Sequence, residues 1–314
     1  MARRRNRGRS VNGIFLLDKP MGLSSNKALQ RVRSIFDANK AGHTGSLDPL
    51  ATGILPICLG EATKFSQFLL VSDKHYKSTF TLGITTDTGD CDGSEIGRAD
   101  ASAITRADVE AAIDKFRGEI KQIPSMYSAL KHQGQPLYKL ARQGVVVERE
   151  PRAVTVFSYD IIDFRPGVEA QVDIEVHVSK GTYVRSLAED LGIALGCGGH
   201  VSALRRHRAG PFDEGQIMTL NELEKHSGIV GKEDLDELLK PMDIAVGDRM
   251  AVELNAVVAG YFMLGQPVMS NKTFRNGQEG DIVRVFRDDG VFLGVGEVNQ
   301  NGQVAPKRLI VFGT

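Results

Sequence analysis

Hydrophobic and polar residues alternate without interruption over residues 168–179, where every second side chain is apolar. A period of two is typical of a strand with one buried and one solvent-facing side. Shorter apolar runs that end at glycine, proline or charged residues predict further strands over 13–18, 54–59 and 76–84. The chain is therefore expected to contain a sheet with at least one exposed face.

Apolar positions that recur every three or four residues behind a capping residue predict helices. Two capping boxes are expected, because Thr105 is followed by Asp108 and Thr219 by Glu222 at the required spacing. The predicted helices begin at Ser24 or Ser25, at 61, at Thr105, at 137, at 183 and at 255. Because strands are followed by strands or single helices, not by regular βαβ units, the fold class is α+β with a mixed, largely antiparallel central sheet.

The chain divides into three parts on this pattern. Residues 1–10 are rich in arginine and predict a flexible basic tail. Residues 11–247 form the main domain, from which a stretch rich in proline and glycine, about 121–150, is expected to project as an insertion. Residues 248–314 change to short strands, at 281–285, 291–295 and 309–312, and predict a small β-rich module.

Composition adds little about partners. The net charge is zero, which excludes a uniformly basic nucleic-acid binder, but residues 1–50 hold ten Lys or Arg against three Asp or Glu. A basic end can follow phosphates on one face. On charge alone, a solvated surface with a disordered tail is the favoured interpretation of this basic end.

Three scattered cysteines, Cys58, Cys91 and Cys197, show neither a CxxC pair nor zinc spacing. They indicate a reducing compartment and no structural metal. The apolar stretch 14–17 that follows the basic start is too short for a signal peptide. No run approaches the roughly 20 apolar residues of a membrane helix, so a cytoplasmic protein without membrane contact is expected.

The segment around Asp48 is the best candidate for chemistry. It places a carboxylate between Gly45 and Gly53, which permit unusual backbone angles, and before Pro49, which favours an extended conformation. An ordinary turn with an aspartate acceptor fits the same residues. A phosphate-binding P-loop does not, since no Gly-Lys-Ser or Gly-Lys-Thr follows.

The chain resembles the TruB-type tRNA pseudouridine-55 synthases in six motifs that occur in the same order. They are LDKPMGLSSN (17–26), GHTGSLDPLATG (42–53), GEATK (60–64), TDTGD (86–90), PSMYSALK (124–131) and SKGTYVR (179–185). The departures, Ser46 and Val184, leave the polar groups of the motifs in place. The resemblance implies a pseudouridine-synthase fold, a thumb-like insertion that enters the RNA loop, and a C-terminal RNA-binding β-barrel of the PUA type.

The resemblance also implies catalytic roles. Asp48 corresponds to the catalytic aspartate, Tyr76 to the tyrosine that stacks on the target base, and Arg185 to the arginine paired with the aspartate. That arginine is expected to lower the pKa of Asp48 and to orient it through a bidentate fork. Asp48 could attack the nucleotide covalently or act as a base at the sugar, and the sequence does not choose.

Four further residues are candidates for substrate binding. By the resemblance, Tyr183 and Leu204 correspond to contacts with the flipped uridine, and His43 to a histidine that holds the opened loop. Lys64 is a candidate phosphate contact. The implied reaction transfers no group and oxidises nothing, so no cofactor is expected. No metal is expected either, because no His, Cys and Asp cluster stands at ligand spacing. The implied partner is the T-arm stem-loop of tRNA, with no protein partner required.

Without the resemblance, ordinary structural roles fit the same residues. Arg185 would pair with Glu189 one helical turn later, Leu204 would be a core residue, and Lys64 a solvated one. Three rival functions stay open: a non-enzymatic RNA-folding chaperone that uses the same surface, a guide-RNA-dependent synthase within a protein complex, and a small-molecule isomerase with an appended barrel. The length of the 121–150 insertion favours an enzyme that grips the RNA loop by itself.

Overall fold

A mixed sheet of ten strands forms the centre of the first 247 residues. The computed structural model describes residues 8–128 and 130–312. In chain order the strands of this part are β1 (Gly13–Lys19), β2 (Ala41–His43), β3 (Thr52–Leu59), β4 (Lys74–Leu82), β5 (Ile84–Thr86), β6 (Glu95–Arg98), β7 (Gly118–Gln122), β8 (Lys131–His132), β9 (Gln135–Pro136), β10 (Arg152–Arg165), β11 (Gln171–Val178), β12 (Gly199–Ala209), β13 (Phe212–Asp213) and β14 (Met218–Thr219).

The strands lie side by side in the order β14-β1-β3-β12-β4-β11-β10-β7, with β2 beside β3 and β13 beside β12. Only the β1–β14 and β3–β12 pairs are parallel among the described strands of this sheet. The helices of this part are α1 (Ser25–Ile35), α2 (Ser66–Leu70), α3 (Arg106–Ile113), α4 (Leu137–Ala141), α5 (Val184–Ala194) and α6 (Leu220–Ser227). The predicted α+β class with a mixed, largely antiparallel sheet is confirmed.

Strand β11 shows why the alternating pattern predicts burial. Val172, Ile174, Val176 and Val178 are almost completely buried on one face, where they pack against α3 and α5. The strand begins three residues later than predicted, and Val168 is 56% exposed in the turn before it. At β11, α3 and α5 therefore cover one face of the sheet and the polar side chains lie on the other, whereas β1 and β3 are buried on both faces.

The predicted starts of α1, α3 and α6 are confirmed by capping contacts. Ser24 caps α1 by accepting a hydrogen bond from a backbone N–H of the first turn. Both capping boxes form, Thr105 with Asp108 at α3 and Thr219 with Glu222 at α6. The single helix predicted over 61–70 is wrong, because a 3₁₀ turn at Gly60–Lys64 precedes α2 and the buried Phe65 lies between them.

Two long strands, β10 and β12, were not predicted from the pattern. Each contains two irregularities of register, in β10 at Val156/Ser158 and Ile161/Asp163, and in β12 at Val201/Ala203 and Arg206/Arg208. A bulge inserts one residue and moves the following side chains to the opposite face. The period of two is therefore broken in the sequence although the strand continues.

The predicted insertion is shorter at its first end than expected. Lys121 and Gln122 belong to β7 and pair with β10 in the main sheet. The segment that leaves the sheet is residues 123–151, here called the thumb, which carries the β8–β9 hairpin and α4. The thumb leaves the sheet directly beside the N-terminus of α5, because Gln122 accepts from and donates to the backbone of Tyr183.

The C-terminal module consists of an open four-stranded sheet with two helices. Its elements are β15 (Ala251–Leu254), α7 (Ala256–Met263), α8 (Asn271–Asn276), β16 (Ile282–Arg287), β17 (Phe292–Val298) and β18 (Val304–Leu309), with the strands side by side in chain order. Phe262 of α7 is completely buried over this sheet. The sheet is not closed into the barrel that the resemblance implies, and the last strand ends at Leu309 instead of covering 309–312.

Part of the predicted basic tail lies against the main domain. The Arg9 N–H donates to the Asp37 carbonyl at 2.6 Å, and its guanidinium forms an ion pair with Asp236 at 2.6 Å. Residues 8–10 are thus anchored, whereas residues 1–7 lie outside the described ranges. No helix within residues 8–128 and 130–312 is both long and apolar enough to cross a membrane.

Gly53 at the start of β3 offers a test of this packing. Its φ is +100°, and a Cβ atom there would lie 2.2 Å from the Arg206 carbonyl oxygen of the paired strand β12. Gly53→Ala should lower the free energy of unfolding by about 2–4 kcal/mol, from backbone strain plus steric conflict. Urea denaturation measures the loss.

Gly22→Ala is the matched control, because Gly22 also has a positive φ, +82°, but no atom within 4 Å of the added methyl group. Gly22→Ala should lower the free energy of unfolding only by the cost of backbone strain, about 1–2 kcal/mol. Equal decreases in the free energy of unfolding in the two variants would contradict the close approach of β3 to β12 at Gly53.

Candidate active site

Asp48 stands in the middle of the loop, residues 44–51, that connects β2 to β3. The hydroxyl of Ser25 at the start of α1 holds this loop, donating to the Leu47 carbonyl at 2.9 Å and accepting from the Leu47 N–H at 2.7 Å. Leu47 and Leu50 are buried, whereas the Asp48 side chain is 37% exposed. The apolar neighbours therefore anchor the loop and leave the carboxylate facing a pocket.

Lys19 lies completely buried beneath the same loop. Its Nζ donates to the carbonyls of Pro20 at 2.9 Å, Leu23 at 2.7 Å and Pro49 at 3.4 Å. Burial lowers the pKa of Lys19 to about 8, and the nearby Asp48 carboxylate opposes that shift. The lysine thus ties the end of β1 to the residue that follows Asp48.

Arg185, in the first turn of α5, contacts two carboxylates at once. Its Nε is 3.0 Å from Asp48 Oδ2, and its Nη1 is 3.3 Å from Asp90 Oδ2. The same guanidinium donates to the Thr88 carbonyl at 2.8 Å and to the Tyr127 carbonyl of the thumb at 3.1 Å. The side chains of Arg185 and Asp90 are only 4% and 6% exposed, so this charge cluster is largely desolvated.

The predicted pairing of Arg185 with Asp48 is present, but the predicted bidentate fork is wrong. The guanidinium presents one nitrogen to each carboxylate, and the contact of Nε with Asp48 lacks the alignment of a hydrogen bond. Pairing with Glu189, the ordinary expectation for a helix, does not occur within the described residues. One arginine is therefore shared between two acids that come from different segments.

The pKa of Asp48 is raised, not lowered as expected. Removal of the carboxylate from water is the largest cause; Arg185 opposes it, and the negative charge of Asp90 adds to it. A partly buried carboxylate that shares one arginine is less stabilised than one that has an arginine to itself. Desolvation therefore sets the direction of the shift, and the sharing of Arg185 with Asp90 weakens the opposing effect.

Asp48 and Arg185 line a pocket of about 290 Å³ together with three residues that the sequence singled out. Tyr76 comes from β4, Tyr183 from the segment just before α5, and Leu204 from β12. These strand and helix ends meet because β4 lies between β12 and β11 in the sheet. The structure therefore brings a carboxylate, a guanidinium, two aromatic rings and one apolar side chain into one small cavity.

Two predicted site residues lie outside this pocket. His43, on β2, is half-buried, and burial together with the charge of Arg206 lowers its pKa. Lys64 forms an ion pair with Glu61 and donates to the Leu309 carbonyl of the C-terminal module at 2.8 Å. The Lys64 ammonium thus links the main domain to the C-terminal module. The binding roles of His43 and Lys64 stay predictions.

Sequence reasoning missed three charged residues of this region. Lys19 and Asp90 stand inside the matched motifs at 17–26 and 86–90 but were not assigned roles. Arg206, which lines the pocket and is only 1% exposed, follows another arginine in a polar run that gave no signal of burial. Only the three-dimensional placement of β12 beside the loop distinguishes it from a surface residue.

No group of three or more His, Cys, Asp or Glu side chains in the described ranges is arranged to hold a metal ion. The three cysteines are free; Cys58 and Cys197 are buried and Cys91 is exposed. Burial raises the pKa of the Cys58 thiol to about 12.

Comparison with known families gives three consecutive matches. Residues 33–184 match the N-terminal domain of the TruB family pseudouridylate synthases. Residues 185–247 match the tRNA pseudouridylate synthase B C-terminal domain, and residues 251–310 the C-terminal part of pseudouridine synthase II TruB. The matched ranges cover both the sheet domain and the small module.

Curated relatives match over nearly the whole chain. A protein named tRNA pseudouridine synthase B from Saccharophagus degradans is 56% identical over 99% of both chains. One of the same name from Pseudomonas aeruginosa is 51% identical over 96% of this chain and 97% of its own. Among solved structures, a Cbf5-Nop10-Gar1 complex contains a chain that is 26% identical, with a TM-score of 0.70 and coverage of 95% of this chain and 84% of that one.

The raised pKa of Asp48 predicts how stability depends on pH. Because the folded state holds the proton more tightly than the unfolded chain, ionisation of Asp48 costs stability as the pH rises above 3.8. The neutral variant Asp48→Asn avoids this cost. Its free energy of unfolding, relative to the original protein, should therefore increase between about pH 4 and pH 7 in urea titrations.

Asp100→Asn is the control of opposite sign. Hydrogen bonds from Ser102 lower the pKa of Asp100, so its ionised form stabilises the fold above pH 3.8, and that contribution is lost as the pH falls. The Asp100→Asn variant should lose relative stability as the pH rises. A pH-independent difference for Asp48→Asn would contradict the desolvated state of that carboxylate.

Proposed function

The chain belongs to the TruB family of pseudouridylate synthases, and we propose on this basis that its pocket converts uridine 55 in the T loop of tRNA to pseudouridine. The protein is thus an RNA-modifying isomerase. The reaction breaks the C1′–N1 bond of the nucleotide and joins C1′ to C5 of the same base. The proton leaves C5 and N1 ends protonated, so atoms and electrons balance without a co-reactant.

The position of Asp48 is the observation that carries the proposal. Its carboxylate faces a cavity of about 290 Å³, and the neighbouring Leu47 and Leu50 fix the loop from within the core. This volume suits a single nucleoside. A base inside a stacked RNA loop cannot reach such a cavity, so the target uridine must be extruded into it.

Asp48 acts on the sugar or the base only in its ionised form. As a nucleophile it would form a bond to the nucleotide, and as a base it would remove a proton while its charge stabilises the sugar. Both routes begin from the carboxylate beside Arg185 and neither needs a further group. Arg185 positions the Asp48 carboxylate. Its Nε contacts Asp48, while its other two nitrogens contact Asp90 and the carbonyls of Thr88 and Tyr127.

Tyr76, Tyr183 and Leu204 supply the surfaces that receive the base. Aromatic stacking is worth roughly 1–3 kcal/mol per base and tolerates any base. Leu204 offers an apolar surface that excludes water from the same cavity. We assign His43 to the opened RNA loop, because it lies on β2 immediately before the segment that carries Asp48.

The thumb and the C-terminal module supply contacts outside the pocket. The thumb carries Lys131, Lys139, Arg142 and Arg149, enough positive charge to follow a few phosphates of the T arm. Tyr127 connects it to the site, because its carbonyl accepts from Arg185. This direct link supports an enzyme that grips its RNA without a protein partner, acting in the cytoplasm where tRNA is modified.

The experiment replaces Asp48 and follows the hydrogen at C5. A tRNA transcript made with uridine tritiated at C5 releases tritium when C5 is joined to C1′. Asp48→Asn should release none in single-turnover reactions, because the charge is lost while size and polarity remain. The affinity for tRNA should stay unchanged, since the variant keeps every phosphate-binding side chain.

Asp100→Asn is the matched control, an equal substitution on the surface, and should release tritium at the original rate. Substantial release by Asp48→Asn would refute the assignment of the catalytic carboxylate. Absence of release by the unaltered protein would refute the proposed function itself.

A further inference from the structure

Arg206 is the largest fully buried side chain of the structure, with 1% of its surface exposed. Within the described residues, no acidic side chain forms an ion pair with it. Burial of a guanidinium without a counter-charge is unfavourable even after the protein relaxes. A side chain of this kind must therefore be held by strong hydrogen bonds.

Those hydrogen bonds go to both ends of the segment that carries Asp48. The Nε of Arg206 donates to the Ile54 carbonyl at 2.8 Å, and its Nη2 donates to the Gly45 carbonyl at 3.2 Å. The backbone of Arg206 also pairs with Gly53 in the parallel contact of β12 with β3. One residue thus fixes where residues 45–54 begin and where they end.

The β2–β3 pairing and the Thr44 N–H, which donates to the Pro56 carbonyl at 3.2 Å, hold the strands that flank the loop, and two other side chains act on its middle. Ser25 holds Leu47, and Lys19 reaches the Pro49 carbonyl. Neither fixes the distance between the two ends, whereas the planar guanidinium presents donors to both ends in a rigid geometry. Of these three side chains, Arg206 alone bonds to both ends of residues 45–54, and it adds to the β2–β3 pairing a direct bridge from Gly45 to Ile54.

We propose that Arg206 is a positioning residue that clamps the two ends of residues 45–54 and thereby sets the place of Asp48 against Arg185 and the bound uridine. The inference rests on the proposed function of the same site. Arg206 does not touch the Asp48 carboxylate; it acts through the backbone at Gly45 and Ile54. A displacement of about 1 Å at a reacting group can cost about a hundredfold in rate.

The residue before Arg206 on β12 offers a matched control. Arg205, the preceding residue, points to the opposite face of the sheet, where it pairs with Asp18 at 3.0 Å and with Glu214. Arg205→Met removes one arginine and its ion pairs from the same strand but leaves both loop carbonyls bonded. A general effect of weakening β12 would appear in both variants, whereas loss of the clamp would appear only at Arg206.

The experiment measures single-turnover tritium release at saturating tRNA, and tRNA affinity separately. Arg206→Met should lower the saturated rate constant about a hundredfold while the affinity stays unchanged, because the loop end moves but the RNA-binding surface does not. Arg206→Lys should be slowed as well, because one ammonium cannot span both carbonyls. Arg206→Ala should recover rate when guanidinium is added at a non-denaturing concentration, and Arg205→Met should keep the original rate.

A second readout does not depend on activity. Hydrogen exchange followed by mass spectrometry should become faster in residues 44–54 of Arg206→Met and remain unchanged there in Arg205→Met. The clamp is refuted by a folded Arg206→Met with the original rate, by a loss confined to tRNA affinity, or by unchanged exchange in this segment. If Arg206→Met does not fold, Arg206→Lys and the guanidinium experiment decide by the same criteria. If the unaltered protein makes no pseudouridine, the proposed function fails, and the exchange result alone judges the clamp.

Discussion

The arrangement of the site depends on one buried arginine that serves two carboxylates. Arg185 brings one positive charge to a place where Asp48 and Asp90 bring two negative charges, and little water reaches any of them except at Asp48. Desolvation is the largest cause that raises the pKa of Asp48, and the charge of Asp90 adds to it against the opposing charge of Arg185. Asp48 thus shares its arginine with a second carboxylate.

The cluster forms because the central sheet brings three distant segments of the chain together. Asp48 comes from the loop between β2 and β3, Asp90 from the segment after β5, and Arg185 from the start of α5. Tyr127 of the thumb joins the cluster through its backbone carbonyl. Because the same guanidinium donates to the Tyr127 carbonyl and contacts the Asp48 carboxylate, a displacement of the thumb at Tyr127 would shift the charge beside Asp48.

Local sequence signals predicted the parts of the fold that obey local rules. The alternation in β11 and the caps at α1, α3 and α6 follow from neighbouring residues alone, whereas bulges concealed β10 and β12. For the site, the six motifs pointed to Asp48 and Arg185 and to the residues that line the pocket with them. They did not reveal that Asp90 competes for the arginine or that Arg206 is buried, because both depend on contacts between segments about a hundred or more residues apart.

The pH dependence of the single-turnover rate tests most directly whether an ionised, partly desolvated Asp48 drives the rearrangement. At saturating tRNA, the rate constant should rise with pH through a midpoint above 3.8, the ordinary value for an aspartate. Asp90→Asn should move that midpoint downward, because it removes a like charge and leaves Arg185 to Asp48 alone. A rate independent of pH, or a midpoint at or below 3.8, would contradict the account.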